Sequence, residues 1–286
     1  MSSLLIDRKE IELNQAQLRM IKSGWGEDAV EGARVEKMTY SSDHLKVKGF
    51  IAYPKQNGGQ YPCIIWNRGG IGNQGTIDDF TARGIFGQIA SWGYVVLASQ
   101  YRGNAGGEGR DQFGGDDVND VLNLIPLADE IPIADKTTWG IEGWSRGGMM
   151  TYLALTRSNA FKAAVISGGI ANLRCTADES RYMRLLYEKA LGEYGSQNFR
   201  DDCEKRSIVN IADRLPRTTS FLLLHGTADD RVSPRDSLEI SGKMLEYNIP
   251  FRLVMLEGGD HFLRTHKKEV DEMRRKWFNR YLKPGV

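Results

Sequence analysis

The decisive stretch of this chain is TTWGIEGWSRGGMMTYLAL, residues 137–155. It reads as a short apolar strand followed by a helix, and Gly143, Ser145 and Gly147 spell GxSxG at the turn between them. So tight a turn has no room for a Cβ at either flank, and it forces the serine into a strained, exposed conformation. The helix that begins at Arg146 directs free N–H groups and its positive dipole end to the same point. The stretch therefore predicts a serine nucleophile, although a serine N-cap between two glycines would look the same.

Short, nearly continuous apolar runs lie on both sides of this turn, and such runs are typical of strands buried on both faces. The runs are residues 62–66, 94–99, 137–143, 163–167, 221–225 and 251–256. Helical segments are predicted between them, at residues 78–92, 116–128, 146–158, 234–247 and 263–282. This alternation predicts an α/β fold with a mostly parallel central sheet flanked by helices.

The remaining segments extend this pattern. Residues 8–23 have helical spacing and predict an N-terminal helix within a helical extension over residues 1–32. Residues 33–54 alternate apolar and polar side chains about a Ser-Ser-Asp turn, which predicts a β-hairpin. Residues 172–216 are charged and contain no strand, so we expect a helical cap inserted after the sixth strand–helix unit. No repeat or linker divides the chain, and we expect a single domain over residues 1–286.

The composition favours a self-folding cytoplasmic protein. Of the 286 residues, 41% are hydrophobic and 26% are charged, as in an ordinary globular domain. The chain has 38 Lys plus Arg against 37 Asp plus Glu, a net charge of +1, so no overall field would recruit nucleic acid or an anionic membrane. No apolar run approaches the roughly 18 residues that cross a bilayer, and MSSLLIDRKE becomes charged too early for a signal peptide. Cys63, Cys175 and Cys203 have no CxxC spacing, and we expect free thiols.

A serine hydroxyl is a poor nucleophile near neutral pH, so it needs a base and an orienting carboxylate. His261, in EGGDHF directly after the last strand, is the predicted base, whereas His225 ends a buried strand and is expected to be structural. Asp229 and Asp230 follow the preceding strand, where a turn before the next helix is the alternative role. We expect these groups to lie near Ser145, because the carboxyl ends of parallel strands share one edge of the sheet. The chain order Ser, Asp, His is that of α/β-hydrolases.

Several segments resemble the catalytic domain of the prolyl oligopeptidase family of serine peptidases. They are GWSRGG, HGTADDRV, the GDHF loop, and GYVVLASQYRGNAGGEG with the GGDDVNDVLNLI that follows. The resemblance spans roughly residues 60–283 and implies an α/β-hydrolase fold. It implies that Ser145 is the nucleophile, His261 the base and Asp229 the orienting acid, since the family pattern HGxxDxxV places the acid on the first Asp. It also implies a serine-type peptidase that cleaves small peptides or aminoacyl amides through an acyl-enzyme.

The chain departs from the family at two points. The β-propeller of full-length members has no room in 286 residues, so a carboxylesterase that acts on small esters is the alternative. Where the family has Tyr or His before two small residues, this chain has Asn67, Arg68, Gly69 and Gly70. We therefore expect the Arg146 N–H to share the oxyanion with the Arg68 side chain or with the Gly69 backbone. Our hypothesis is that both arginines make the mouth of the site cationic and favour substrates with a carboxylate near the scissile bond.

Two other functions would use some of the same segments. Gly70, Gly72 and Gly75 spell the dinucleotide fingerprint GxGxxG, but Gln100 stands where the ribose-binding acid should be. A hydrolase fold used only for binding would not need all three predicted catalytic residues. Metal-ligand spacings and a P-loop are absent from the sequence, so we expect no metal and no organic cofactor. The expected partner is a small peptide or ester substrate, without nucleic acid or membrane, and a homo-oligomer stays open.

Overall fold

The computed structural model describes residues 3–56 and 59–283. A single nine-stranded sheet crosses these residues in the order β1-β2-β3-β5-β4-β6-β7-β8-β9. The strands are β1 (Leu5–Glu10), β2 (Ala33–Ser42), β3 (Leu45–Pro54), β4 (Tyr61–Asn67), β5 (Val95–Ser99), β6 (Ala134–Trp144), β7 (Phe161–Ser167), β8 (Ser220–Gly226) and β9 (Phe251–Leu256). The pairings β1–β2, β2–β3 and β3–β5 are antiparallel, and the five others are parallel. The predicted mostly parallel α/β fold is confirmed.

Helices cover both faces of this sheet, which explains why its central strands are apolar on both sides. The helices are α1 (Gln15–Trp25), α2 (Asp28–Glu31), α3 (Asp79–Ser91), α4 (Asp117–Leu122), α5 (Leu124–Leu127), α6 (Arg146–Leu155), α7 (Leu173–Glu179), α8 (Arg181–Leu191), α9 (Gln197–Arg206), α10 (Pro234–Glu246) and α11 (Lys267–Leu282). One core contains Phe86 of α3 and Phe278 of α11, and the core on the opposite face contains Val121 of α4, Met149 of α6 and Ile240 of α10. None of the helices in the described ranges is long and apolar enough to cross a membrane.

The N-terminal prediction is wrong at its start. Residues 5–10 form an edge strand that pairs antiparallel with β2, from Leu5 opposite Tyr40 to Glu10 opposite Glu36. The helix begins only at Gln15, where Asn14 caps it. Pairing with a strand some 30 residues away leaves no trace in the local 3.6-residue spacing, so the expected helical extension over residues 1–32 also contains a strand.

The predicted helix over residues 116–128 is divided between α4 and α5. Pro126 has no N–H group to donate to the carbonyl of Leu122, and the loss of this hydrogen bond interrupts the helix. The segment 172–216 follows β7 and contains α7, α8 and α9 without any strand, in agreement with its predicted helical character. It is inserted after the sixth of the strands that the sequence predicts, and its action as a cap stays a prediction.

Candidate active site

The turn between β6 and α6 has the geometry that its sequence predicts. Ser145 adopts φ 59° and ψ −123°, a left-handed backbone conformation that is strained for a residue with a side chain. A methyl group on Gly147 would overlap the carbonyl oxygen of Asn67, and one on Gly143 would overlap the carbonyl of Gly147. Ser145 is only 7% exposed, contrary to the expected exposed position, because it lies at the base of a cleft.

The loops after β8 and β9 bring two further polar side chains to Ser145. The ring atom Nε2 of His261 lies 3.1 Å from the Ser145 Oγ, and its Nδ1 lies 2.7 Å from the Oδ2 of Asp229. All three residues are buried. Asp230 is exposed on the neighbouring turn and lies outside this chain of hydrogen bonds. The structure thus brings together the three residues named from the sequence.

The Asp229 carboxylate has partners on both oxygens. Its Oδ1 accepts hydrogen bonds from the N–H groups of Arg231 and Val232, and its Oδ2 lies 3.3 Å from the Nε2 of His225. Burial would raise the pKa of Asp229, but hydrogen bonds from His225 and His261 outweigh it and hold the pKa well below its usual value. The carboxylate is therefore ionised at neutral pH.

His225, expected to be structural, touches this carboxylate as well. Its Nε2 lies 3.0 Å from the carbonyl oxygen of Val232, and a carbonyl can only accept, so Nε2 carries a proton. Its Nδ1 lies 2.7 Å from the Ser237 hydroxyl. The sequence offered the signal, because His225 stands four residues before Asp229 at the end of a strand, but it could not show which way the ring points.

Sequence reasoning missed Trp144, the residue before the serine. Its indole Nε1 donates a hydrogen bond of 2.9 Å to the backbone carbonyl of His261, and its ring lies 5.0 Å from the imidazole. Phe262 packs on the same indole, with ring centroids 5.1 Å apart. Trp144 therefore fixes the loop that carries His261. The only sign of this role in the sequence is that Trp144 directly precedes the predicted nucleophile Ser145.

The Arg68 side chain is not positioned as an oxyanion donor, so this part of the prediction is wrong. Its Nε and Nη2 donate to the carbonyl of Gln100 at 3.0 and 2.8 Å, and its Nη1 donates to the carbonyl of Gly69. The side chain is 1% exposed and stacks on Tyr101. Burial, with the nearby charge of Arg146, lowers the pKa of Arg68 to about 10. A backbone glycine beside Ser145 is the remaining candidate, and Gly69 packs against both Ser145 and Trp144.

The Arg146 side chain is likewise bound by other groups of the fold. Its guanidinium pairs with Asp111 and Asp117, each at 2.6 Å, and it is 1% exposed. The hypothesis of a cationic mouth built from Arg68 and Arg146 is therefore wrong, because both guanidinium groups are buried: Arg68 binds backbone carbonyls and Arg146 binds two carboxylates. Arg231 also lines the cleft, where it lies 4.7 Å from the Phe262 ring and forms no ion pair within the described ranges.

The glycine-rich loop does not form a nucleotide-binding turn. Residues Gly72–Gly75 make a short 3₁₀ turn, and α3 begins only at Asp79. A side chain on Gly75 would strike Gly70 and the Arg68 guanidinium, so these glycines let the loop fold over the buried arginine. The dinucleotide alternative loses its structural basis.

The cleft above Ser145 has a volume of about 620 Å³. One side of the cleft is lined by Ile170 and by three residues of α8, Tyr182, Met183 and Leu186. The other side is lined by Leu263 and by residues of α3 and α11. Its carboxylates, Glu142 and Asp271, both pair with Arg274. No group of three or more metal-ligating side chains occurs within residues 3–56 and 59–283.

The profile described as the prolyl oligopeptidase family matches residues 83–285. The chain belongs to the prolyl oligopeptidase family. Among its relatives is the uncharacterized peptidase YtmA of Bacillus subtilis, 31% identical over 218 residues that cover 76% of this chain and 82% of that protein. Membership in this family makes the chain a serine hydrolase.

Solved structures have the same fold. A puromycin-hydrolyzing peptidase from Mycobacterium tuberculosis superposes with a TM-score of 0.69 at 25% identity, over 86% of this chain and 39% of that one. An acylaminoacyl peptidase from Pyrococcus horikoshii gives a TM-score of 0.73 at 21% identity, over 95% of this chain and 44% of that one. This chain thus spans less than half of either larger protein.

Proposed function

We propose that this chain is a serine peptidase that cleaves small peptides or aminoacyl amides through an acyl-enzyme on Ser145. The continuous hydrogen-bond chain from Ser145 through His261 to Asp229 carries the proposal. His261 Nε2 takes the hydroxyl proton as Ser145 attacks the carbonyl carbon. Asp229, ionised and held by backbone N–H groups, keeps the proton on Nδ1 and stabilises the imidazolium.

Two backbone N–H groups are proposed to bind the oxyanion. One belongs to Arg146, the first residue of α6, and the other to Gly69 or Gly70. Neither the Arg146 nor the Gly69 N–H has a backbone acceptor within the described ranges. Each such donor contributes on the order of 3 kcal/mol to the transition state. His261 then returns its proton to the leaving group, and a water molecule repeats the sequence on the acyl-enzyme.

The charges in the cleft bear on the substrate class. A substrate with a free ammonium group near the scissile bond needs an unpaired carboxylate, but Glu142 and Asp271 are already ion-paired. Among small peptides and aminoacyl amides, those whose amino group is acylated therefore fit best. The acylaminoacyl peptidase with this fold is named for such a substrate. The same paired carboxylates and the apolar walls would also suit small neutral esters, so a carboxylesterase is the second candidate.

The first test compares the purified protein with its Ser145→Ala variant on three substrates: a short-chain aryl ester, an aminoacyl aryl amide and a dipeptidyl aryl amide. We expect cleavage of an amide that Ser145→Ala abolishes while the circular dichroism spectrum is unchanged. Cleavage of the ester alone would indicate a carboxylesterase. Cleavage that survives in Ser145→Ala would contradict the proposed nucleophile.

We also propose a cytoplasmic location, which the sequence favours. In the structure Cys63, Cys175 and Cys203 are all free thiols, and burial raises the pKa of Cys63 and Cys203 to about 12. Reduced, unreactive cysteines suit a reducing compartment.

A further inference from the structure

A groove runs between α3 and α11 on one face of the sheet. On α3 its wall is formed by Thr81, Ile85 and Gln88, which are four and three residues apart and therefore share one side of the helix. On α11 the facing wall is formed by Val270 and Arg274, also four residues apart. The three α3 side chains are partly exposed although the helix packs on the sheet, so the groove is open.

The groove opens at the nucleophile. Its floor is made by Trp66 of β4 and Glu142 of β6, which face each other in the sheet register. Glu142 lies near the end of β6, three residues before Ser145, so the two residues are at most about 10 Å apart along the chain. Trp25 of α1 lines the far end, where its backbone carbonyl accepts a hydrogen bond from Gln88. The groove is thus a side arm of the cleft that contains Ser145.

The charges inside the groove are balanced. The Arg274 Nε and Nη2 donate to Glu142 at 2.6 and 3.0 Å, and its Nη1 donates to Asp271 at 2.6 Å. The Lys267 ammonium group lies 2.6 Å from the other oxygen of Asp271. Two cations therefore pair with two carboxylates, and a charged ligand would find no free counterion. Since the groove is also lined by the apolar side chains of Ile85 and Val270, an uncharged apolar group is the best fit.

The groove lies on the same side of the cleft as the loop that carries the base, His261. The chain runs from His261 through Leu263 into α11, so the loop that carries the base continues into the wall of the groove. His261 delivers its proton to the departing atom, which places the leaving group next to this loop. Helix α8, with Met183 and Leu186, lines the opposite side of the cleft and is left for the acyl group.

We propose that the groove between α3 and α11 binds the leaving-group side of the substrate and selects an uncharged, apolar group there. The inference rests on the proposed function, because the attack by Ser145 defines which side departs. In a peptide, the selected group is an apolar residue on the carboxyl side of the scissile bond.

The test uses n-alkyl esters of one short acid, from ethyl to octyl, so that the acyl group is constant and the alcohols are nearly equal in acidity. In the native enzyme kcat/KM should rise with chain length, by up to about fourfold for each buried methylene group. Ile85→Trp and, independently, Thr81→Trp fill the groove, and the ratio of octyl to ethyl kcat/KM should fall to near one. Leu245→Trp, which adds the same ring at an exposed site on α10, is the matched control and should keep the native ratio.

Three results would overturn the inference. The first is an octyl to ethyl ratio near one in the native enzyme, and the second is a native ratio in both groove variants. The third comes from a second series, ethyl esters of longer acids: the groove variants lose activity on these esters only. The last result would place the acyl group in the groove. Calorimetric titration of Ser145→Ala protein with the same alkyl esters separates this inference from the proposed function. Affinity that rises with alkyl length and is lost in Ser145→Ala/Ile85→Trp supports the groove even where the serine proves not to be the nucleophile.

Discussion

At the scale of single residues, two neighbouring aspartates show how position decides the role of a side chain. Asp229 is buried and holds His261, whereas Asp230 is exposed on the same turn. The sequence alone does not show which of the two aspartates orients His261. Only the pattern of the prolyl oligopeptidase family favours the first, and the hydrogen bonds give the physical reason.

We predict that Asp229→Asn lowers kcat by on the order of 10⁴-fold, because an amide would hold His261 in the wrong tautomer. Asp230→Asn should change kcat by less than about threefold, because the Asp230 side chain is exposed and makes no hydrogen bond to His261. Steady-state kinetics on the best substrate from the first test measures both. Equal losses in the two variants, or a larger loss in Asp230→Asn, would reverse the assignment of the acid.

At the scale of elements, Asp236 joins α10 to the helical segment over the site. Its Oδ2 accepts hydrogen bonds from the N–H groups of Ala171 and Asn172 at 2.7 and 3.0 Å, directly before α7. Burial raises the pKa of this carboxyl to about 6, against the opposing effect of these hydrogen bonds. The junction between β7 and α7 thus contains a carboxyl group that titrates close to physiological pH.

We predict that Asp236 makes the stability pH-dependent. Between about pH 4 and 6 the folded protein binds more protons at Asp236 than the unfolded chain, so its contribution to the free energy of unfolding decreases as pH rises through this window. The contribution is greatest below this window and is constant above pH 6, with a total change of up to about 3 kcal/mol. Urea unfolding of the native protein and of Asp236→Asn, from pH 4.5 to 7.5, measures the difference.

The native protein should gain stability relative to Asp236→Asn as the pH falls, and Asp230→Asn serves as the exposed control. A difference that grows as the pH rises would mean that the folded state favours the charged carboxylate instead.

At the scale of the whole molecule, Arg102 links three parts of the fold. Its Nε and Nη2 pair with Asp120 of α4, and Nη2 also lies 2.7 Å from Asp43 in the turn between β2 and β3. The neighbouring acid Asp117, at the start of α4, pairs with Arg146 rather than with Arg102.

We predict that Arg102→Met lowers the free energy of unfolding by about 3 to 5 kcal/mol, because it leaves the fully buried Asp120 carboxylate without a cation. Lys276→Met, which breaks an exposed pair with Glu272, should change the free energy of unfolding far less, because water screens this pair. Equilibrium unfolding in urea measures both. Losses of similar size in the two variants would show that the buried pair contributes no more than a surface pair. If the unpaired Asp120 carboxylate causes the loss in Arg102→Met, the double variant Arg102→Met/Asp120→Asn should recover part of the stability.

Those parts of the protein that depend on local pattern could be predicted from the sequence. Apolar runs separated by helical segments gave the parallel strands, and GxSxG with Asp229 and His261 gave three residues that meet, because the carboxyl ends of parallel strands share one edge. The remaining features depend on contacts between residues that are far apart in the chain. The strand Leu5–Glu10 depends on a partner about 30 residues away, and the directions of the Arg68 and Arg146 side chains depend on carbonyl and carboxylate groups from distant loops. The groove between α3 and α11 likewise exists only because two helices from opposite halves of the chain stand apart on one sheet, and spacing along a chain records neither distance nor direction between such elements.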